Sequence, residues 1–324
     1  MSAVIRGVGV RDLLERYRNI AVPLVAVVVV VVYFQSQAPE FISAGSAQNI
    51  LRQTAFLSVL SLAGTFVILI GGIDLSVAAN ATLAGILIAS WIDTMGGLLA
   101  IPLVILIGMA VGLLNGLVTT RLRVPSFLVT LGVMSILNGL SNTISDGGPV
   151  SFQSGVLQSL INDSTIPNIP NGALIAFLLV ALATGAAFAT SFGRHVYAVG
   201  GNERAAALSG VRVRSVKIAV FALSGGFAAV AGIIFTGQAS VGVPLGADPS
   251  LLNSIAAIVV GGTALSGGVG GPHRTLLGAL VIVLLSSGMD ITSVGPYTQL
   301  IVKGVVVIAA VALTIDRRRY GVIK

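Results

Sequence analysis

Two short polar clusters interrupt an otherwise apolar sequence, and the first contains an acidic residue. It reads Gly71-Gly-Ile-Asp-Leu-Ser76, so that Asp74 closely follows a pair of glycines. Paired glycines weaken a helix, and the side chain of Asp74 can accept hydrogen bonds from the amides of a helix that starts at Leu75. A carboxylate among apolar residues is also typical of a transport path. Asp74 and Ser76 are therefore candidates either for a helix cap or for a path and its inner gate.

The second cluster has the composition of a short, capped helix. In Tyr197-Ala-Val-Gly-Gly-Asn-Glu-Arg-Ala-Ala-Ala-Leu-Ser-Gly210, the glycine pair predicts a turn, Asn202 an N-cap and Gly210 the position after the last helical turn. A solvated basic loop needs none of these features, so we interpret the segment as a docking element for another protein. Its assigned residues are Tyr197, Gly200, Gly201, Asn202, Glu203, Arg204, Ala205, Ala206, Leu208, Ser209 and Gly210.

The chain lacks the residues of common catalytic and nucleotide sites. It contains no Gly-x-x-x-x-Gly-Lys-Ser/Thr phosphate loop, no His-Glu-x-x-His zinc motif and no cysteine. Its two histidines, His195 and His273, are far apart in the sequence. We therefore expect no metal site, no catalytic residues and no cofactor bound by the chain itself.

Composition places the chain in a membrane. Of its 324 residues, 55% are hydrophobic and 9% are charged, whereas soluble domains contain ~25% charged residues. The apolar residues extend from end to end, which excludes soluble, disordered and nucleic-acid-binding proteins as well as a domain with one anchor. The net charge of +7 fits an excess of Lys and Arg in cytoplasmic loops.

At ~20 residues per span, the sequence predicts an all-α polytopic membrane protein with about ten transmembrane helices and both termini in the cytoplasm. The predicted spans are residues 20–35, 50–70, 76–93, 98–120, 126–145, 172–191, 215–237, 249–266, 274–290 and 297–315. They define a cytoplasmic N-terminal segment 1–19, a single transmembrane domain 20–315 and a cytoplasmic tail 316–324. Residues 20–34 also have the character of a signal peptide, but a retained first span fits better.

The distribution of charges fits this topology. The predicted cytoplasmic segments contain nearly all Lys and Arg residues, while the predicted outer loops contain almost only acidic ones. These acidic residues are Glu40, Asp93, Asp146, Asp163, Asp248 and Asp290. The longest loops are 146–171 outside and 192–215 inside, and the inner loop contains the docking element.

Small and polar residues within the spans indicate helix packing and a possible path. Glycines recur at every fourth position of the fourth span, a spacing that lets helices approach closely within one chain or between two. These glycines are Gly108, Gly112 and Gly116. On the fifth span, Phe127, Thr130 and Asn138 are candidates to line a polar path, although such residues also make ordinary helix contacts.

A weak internal repeat relates two apolar segments. Residues 68–77 and 258–267 are identical at five of ten positions, and Thr82-Leu-Ala-Gly85 and Thr275-Leu-Leu-Gly278 follow at nearly the same offset. Transporters are often built from duplicated halves, so the repeat predicts a weak internal duplication. Chance similarity between glycine-rich segments is the alternative.

Five motifs together resemble a known family. They are Gly71-Gly-Ile-Asp-Leu-Ser, Val124-Pro-Ser-Phe, the Tyr197–Gly210 segment, Ile255-Ala-Ala-Ile-Val-Val-Gly-Gly-Thr-Ala-Leu-Ser-Gly-Gly268 and Gln299-Leu-Ile-Val-Lys-Gly304. In this order they resemble the ribose-type permeases of bacterial ABC importers. The branched-chain amino-acid permeases share the general architecture.

The resemblance implies a permease subunit of the bacterial inner membrane that forms the path for a sugar. It implies a second permease copy in a homodimer or heterodimer, an extracytoplasmic sugar-binding protein, and a cytoplasmic ATPase that binds ATP and Mg²⁺ at a pair of nucleotide sites. It also implies that the Tyr197–Gly210 segment is the coupling helix that docks on the ATPase. Asn253, where the family usually has an acidic residue, is a further candidate for the path.

Two other interpretations stay open. A stand-alone, ion-coupled secondary transporter needs neither an ATPase nor a binding protein, and coupling to sodium can rely on backbone carbonyl groups. The same importer machinery could also carry a nucleoside, a polyol or another small polar molecule. Dependence on a separate ATPase and binding protein distinguishes the importers from the secondary transporter.

Overall fold

The computed structural model describes the backbone of residues 10–314 and the side chains of residues 21–312. The first half contains α1 (Val10–Gln37), α2 (Ala44–Leu69), α3 (Val77–Met95), α4 (Gly97–Arg121), α5 (Ser126–Ile144) and α6 (Gly155–Asn162). The second half contains α7 (Asn171–Ala189), α8 (Ser191–Gly201), α9 (Glu203–Leu208), α10 (Val213–Ala239), α11 (Ser250–Val260), α12 (Pro272–Ile291) and α13 (Pro296–Thr314). A 3-10 turn (Pro39–Ile42) follows α1, and β1 (Val150–Ser151) pairs antiparallel with β2 (Val241–Gly242).

The all-α polytopic architecture is confirmed. Within the described residues, seven helices are long and apolar enough to cross a membrane, namely α2, α3, α4, α5, α7, α10 and α12. Shorter apolar stretches occur in α1, α11 and α13. The total of about ten crossings and the side on which each terminus lies stay predictions.

One predicted span is shorter in the structure than expected. The span predicted at 249–266 is helical only over Ser250–Val260, because Gly261 and Gly262 end it and Gly262 has a φ of +86°. Eleven residues span ~16 Å, about half of a bilayer core. α1 begins at Val10, and the cytoplasmic position of segment 1–19 stays a prediction. Residues 1–9 and the predicted tail 316–324 lie outside the described residues.

The centre of the bundle is α10, which packs against α2, α3 and α4. The predicted glycine stripe of α4, Gly108, Gly112 and Gly116, packs against α10, where Gly225 faces Gly108. A methyl group at Gly108 or Gly112 would overlap carbonyl oxygens of α10, so the backbones approach more closely than alanine would allow. Asn80 of α3 donates its side-chain amide to the carbonyls of Gly108 and Gly225, both at 3.2 Å, and joins α3 to this contact.

The helices differ in how much of their surface the chain covers. In the most apolar 18-residue stretch of each helix, 78% of the residues of α2 and of α3 are buried inside the chain. The corresponding shares are 22% for α4 and 17% for α5. α5 contacts α3 and α4 along one side. Its other side is open within this single chain and is available to lipid, cargo or another subunit.

Candidate functional site

The predicted docking element consists of α8 and α9. The side chain of Asn202 accepts a hydrogen bond from the amide of Ala205 at 3.0 Å, and Gly210 has a φ of +85° directly after the last turn of α9. These caps delimit a helix of six residues. The prediction of a turn at Gly200 and Gly201 is wrong, because both lie in the last turn of α8 and the break comes at Asn202.

The predicted docking residues point in two directions. Facing the protein are Tyr197, Gly200 and Ala206; facing away from it are Arg204, Ala205, Leu208 and Ser209, which we call the α9 surface. Leu208 is 83% exposed, although it is a large apolar side chain outside the candidate spans. Glu203 binds Lys217 of α10 with an O–N distance of 2.7 Å, which ties α9 to α10.

Tyr197 anchors α8 to the connection between α11 and α12. Its hydroxyl donates a hydrogen bond to the carbonyl of Gly270 at 2.7 Å, and its ring stacks on Phe188 with centroids 5.7 Å apart. Burial raises the pKa of Tyr197 to about 12, although the positive charge of Arg274 opposes the shift. The hydroxyl therefore stays a donor at neutral pH.

A second anchor lies at the end of α8, where three connections meet. The amide of Gly268 donates to the carbonyl of Leu69 at 2.9 Å, and a methyl group at Gly200 would overlap both of these groups. Gly71 and Gly268 have φ values of +75° and +74°, which favour glycine. We call Gly71, Gly200, Gly267 and Gly268 the glycine junction. The two segments of the predicted repeat meet here, while the duplication itself stays a prediction.

Asp74 lies in the connection between α2 and α3 and is 7% exposed. One carboxylate oxygen accepts from the amide and hydroxyl of Ser76 at 3.0 and 2.6 Å, and the other accepts from the hydroxyl of Ser224 at 2.9 Å. Asn115 of α4 donates to the hydroxyl of Ser76 at 2.9 Å. α3 begins at Val77, later than predicted, so Asp74 orders the approach to α3 and binds it to α10.

The remaining candidates for the path do not converge on Asp74 as one site. Thr130 is buried, and its hydroxyl accepts a hydrogen bond from the amide of Leu75 in the α2–α3 connection at 3.0 Å. One turn earlier on α5, the hydroxyl of Ser126 accepts a hydrogen bond from the amide of Ile73, also at 3.0 Å. Phe127 is exposed on the first turn of α5, and Asn253 is half-buried on α11. Thr130 therefore supports the Asp74 connection, whereas the side chains of Phe127 and Asn253 make no hydrogen bond to it in the described structure.

The sequence analysis missed the partner of Asn138. The side-chain amide of Asn138 donates to Asp248 at 2.7 Å, and the hydroxyl of Thr82 donates to the other oxygen of Asp248 at 3.1 Å. Thr82 also accepts the amide of Ala247 at 3.2 Å. Asp248 lies in the connection between α10 and α11, which turns back along α3 where Gly242 contacts that helix; the outer side of this connection stays a prediction. The sequence feature that could have indicated this connection is the glycine- and proline-rich stretch 242–249, which precedes a short helix.

Comparison with known proteins identifies the family. A family model described as branched-chain amino acid transport system / permease component matches residues 46–311. The chain belongs to this family of permeases. The "Ribose import permease protein RbsC" of Haemophilus influenzae is 36% identical over 291 residues, which cover 89% of this chain and 90% of the relative.

Further relatives of the permease carry similar names. The protein of the same name from Bacillus subtilis is 36% identical and covers 92% of both chains. The "Xylose transport system permease protein XylH" of Escherichia coli is 30% identical and covers 90% of this chain and 91% of the relative. No solved structure matches the permease.

Polar side chains in the described part of the permease join helices and their connections. Among its described residues, no group of three or more His, Cys, Asp and Glu side chains could hold a metal ion. Its polar groups form an anchored exterior helix and two carboxylate clusters between helices. The relatives are likewise named as transport permeases.

Proposed function

We propose that this permease is the membrane-spanning subunit of an ABC importer and forms the path for a ribose-like pentose or a hexose. The observation that carries the proposal is the likeness to ribose import permeases along 89–92% of the chain. A second relative is named as a xylose permease, so we expect the cargo to be a small sugar. A nucleoside, a polyol or another small polar molecule is the alternative within the same machinery.

In this proposal the permease works with three kinds of partner. A second permease copy, identical or related, completes the path. An extracytoplasmic binding protein delivers the sugar, and a cytoplasmic ATPase binds ATP and Mg²⁺. The permease lies in the bacterial inner membrane with α8, α9 and both termini in the cytoplasm, because basic residues surround α8 and α9. α1 and α13 cross the membrane, and α11 is part of a broken crossing, which gives about ten crossings.

The α9 surface is the proposed contact with the ATPase. The α9 surface combines an exposed leucine with small and basic residues, and Leu208 is its most exposed large apolar side chain. Behind it, the ion pair to α10, the Tyr197 hydrogen bond and the glycine junction leave α8 and α9 little freedom to move alone. A displacement of the α9 surface would therefore move the α2–α3 and α11–α12 connections together.

Transport by the assembled complex tests the function. The permease, its ATPase and a ribose-binding protein are reconstituted in liposomes, and uptake of labelled ribose is measured with and without ATP. We expect uptake that needs ATP and both partners. Ribose uptake by the permease alone, driven by a sodium or proton gradient, would establish the secondary transporter instead.

Capture of the ATPase tests the docking surface. Burying a leucine side chain contributes ~1.5–3 kcal/mol, so Leu208→Glu should weaken ATPase binding by about 10- to 100-fold. Leu122→Glu is the matched control, because Leu122 is 69% exposed and lies on the same predicted side in the α4–α5 connection. Equal capture by both variants would place the contact elsewhere. Glu203 is less suitable for this test because its loss also breaks the ion pair with Lys217.

A further inference from the structure

Asp248 is a carboxylate inside the helical bundle whose hydrogen-bond partners are uncharged. The side chains of Asn138 and Thr82 bind its two oxygens. No Lys, Arg or His side chain of the described residues forms an ion pair with Asp248. Ionisable residues at such depth in membrane proteins commonly mark the route of a substrate or ion.

The depth of Asp248 follows from its neighbours on α5 and α3. α5 begins at Ser126, which puts Asn138 ~18 Å along the helix at ~1.5 Å per residue. The hydrogen bonds from Leu75 to Thr130, and through Asp248 from Thr82 to Asn138, show that α3 and α5 run side by side in the same direction. Asp248 therefore lies well within a hydrocarbon core of ~30 Å.

The cluster has more hydrogen-bond acceptors than donors. A carboxylate offers about four lone-pair positions, and two side-chain donors bind Asp248. The side-chain oxygen of Asn138 is buried and has no hydrogen-bond partner. Such an oxygen is costly to leave unpaired, so this cluster is short of hydrogen-bond donors.

One side of the cluster is open. Asp248 is only partly buried, so part of its side chain reaches the surface of the single chain. Near Asp248 in the sequence, Leu245 and Leu252 are 44% and 72% exposed. Hydroxyl groups could therefore reach the carboxylate while the C–H face of a sugar meets aliphatic side chains.

We propose that Asp248, Asn138 and Thr82 form a site on the path that binds the hydroxyl groups of the passing sugar. The carboxylate of Asp248 accepts hydrogen bonds from neighbouring hydroxyls, and Asn138 and Thr82 hold the carboxylate in place. The inference rests on the proposed sugar-import function and adds to it a specific contact with cargo. A site of a few hydrogen bonds holds a sugar briefly and releases it, as passage requires.

The test compares cargo moved with ATP spent in the reconstituted complex, using ribose as the probe. Asp248→Asn keeps the size of the side chain but removes its charge and one acceptor. We expect the number of ribose molecules moved per ATP to fall about tenfold, the loss of one hydrogen bond to a charged group. Asp146→Asn is the matched control, because Asp146 is an exposed acidic residue of the 146–171 loop whose φ of +50° suits asparagine. It should match the unmodified complex.

Asn138→Ser is the second variant, and it should lower the same ratio less strongly. A purely structural cluster would lower transport and ATP hydrolysis together and leave their ratio unchanged, which would overturn the proposal. Failure of both variants to assemble would also overturn it in favour of a structural clamp. Ribose uptake is also measured with sodium replaced by choline. If the unmodified complex needs sodium and Asp248→Asn does not, Asp248 belongs to a cation site instead.

The two proposals fail in different ways. If the unmodified complex moves no ribose with ATP, the proposed function fails. If it does move ribose and Asp248→Asn moves as much per ATP, only the hydroxyl site fails.

Discussion

Alanine at Gly200 gives the sharpest test of how α8 is attached to the bundle. The added methyl group would overlap the carbonyl oxygen of Leu69 and the amide of Gly268, which are both backbone groups. Gly201 is the next residue of the same helical turn, and a methyl group there meets nothing within 4 Å. The two substitutions are chemically identical and differ only in what surrounds them.

Their opposing effects can be compared in free energy. Replacing glycine by alanine in a helix stabilises it by ~0.5–1 kcal/mol, which is the whole effect expected at Gly201. At Gly200 the same gain is outweighed by overpacking, which costs ~1–3 kcal/mol and lies near the upper end because backbone groups cannot rotate away. Gly200→Ala should therefore be less stable than Gly201→Ala by ~2–3 kcal/mol.

Thermal unfolding of the two purified variants measures this difference. At ~2–4 °C per kcal/mol, the melting temperature of Gly200→Ala should lie roughly 4–12 °C below that of Gly201→Ala. In the reconstituted complex, Gly200→Ala should also move less ribose per ATP, because α8 no longer sits against the end of α2. Equal melting temperatures would refute the close contact of α8 with Leu69.

Three further predictions concern the supports of this arrangement. Gly112→Ala should destabilise the permease by ~1–3 kcal/mol against the carbonyls of α10, whereas Gly132→Ala on α5 meets open space and should not lower the melting temperature. The ion pair between Glu203 and Lys217 is partly exposed, so a double-mutant cycle of Glu203→Gln and Lys217→Met should yield a coupling of only ~0–1 kcal/mol. Tyr197→Phe should cost ~1 kcal/mol at pH 8. Because burial raises the pKa of Tyr197 from 10.0 to about 12, this difference should persist below pH 10 and disappear as the pH rises to about 12.

The features that the sequence predicted correctly are local ones. The caps of α9 depend on residues within one or two turns of Asn202 and Gly210, and the apolar lengths of most spans depend only on composition. The glycine stripe on α4 indicated close packing for the same reason, because a regular spacing places its members on one helix face. The partner of that stripe, α10, could not be read from the spacing.

Long-range contacts explain what the sequence analysis missed. Asp248 binds Asn138 and Thr82, which are 110 and 166 residues away, and no local pattern connects these three side chains. The assignment of Gly200 to a turn failed for a similar reason. A glycine pair commonly interrupts a helix, but here Gly200 is required by the close approach of Leu69 from α2.

Asp74 and Asp248 show how similar residues can serve different roles in one fold. Asp74 is 7% exposed and bonded to serines on two sides, so its acceptors are used in joining α3 to α10. Asp248 is partly exposed beside an unpaired oxygen of Asn138. The first therefore holds helices together, while the second has acceptors left for a cargo.

The helix α3 connects the two carboxylates structurally. Ser76 binds Asp74 at the start of α3, and Thr82 binds Asp248 ~9 Å further along the same helix at ~1.5 Å per residue. A helix of this length moves as a nearly rigid body, so a shift of the α2–α3 connection at the glycine junction would also displace Thr82. If the ATPase docks on the α9 surface as proposed, force applied there would change the hold of Thr82 on Asp248, and the proposed site for sugar hydroxyls would tighten or loosen with it.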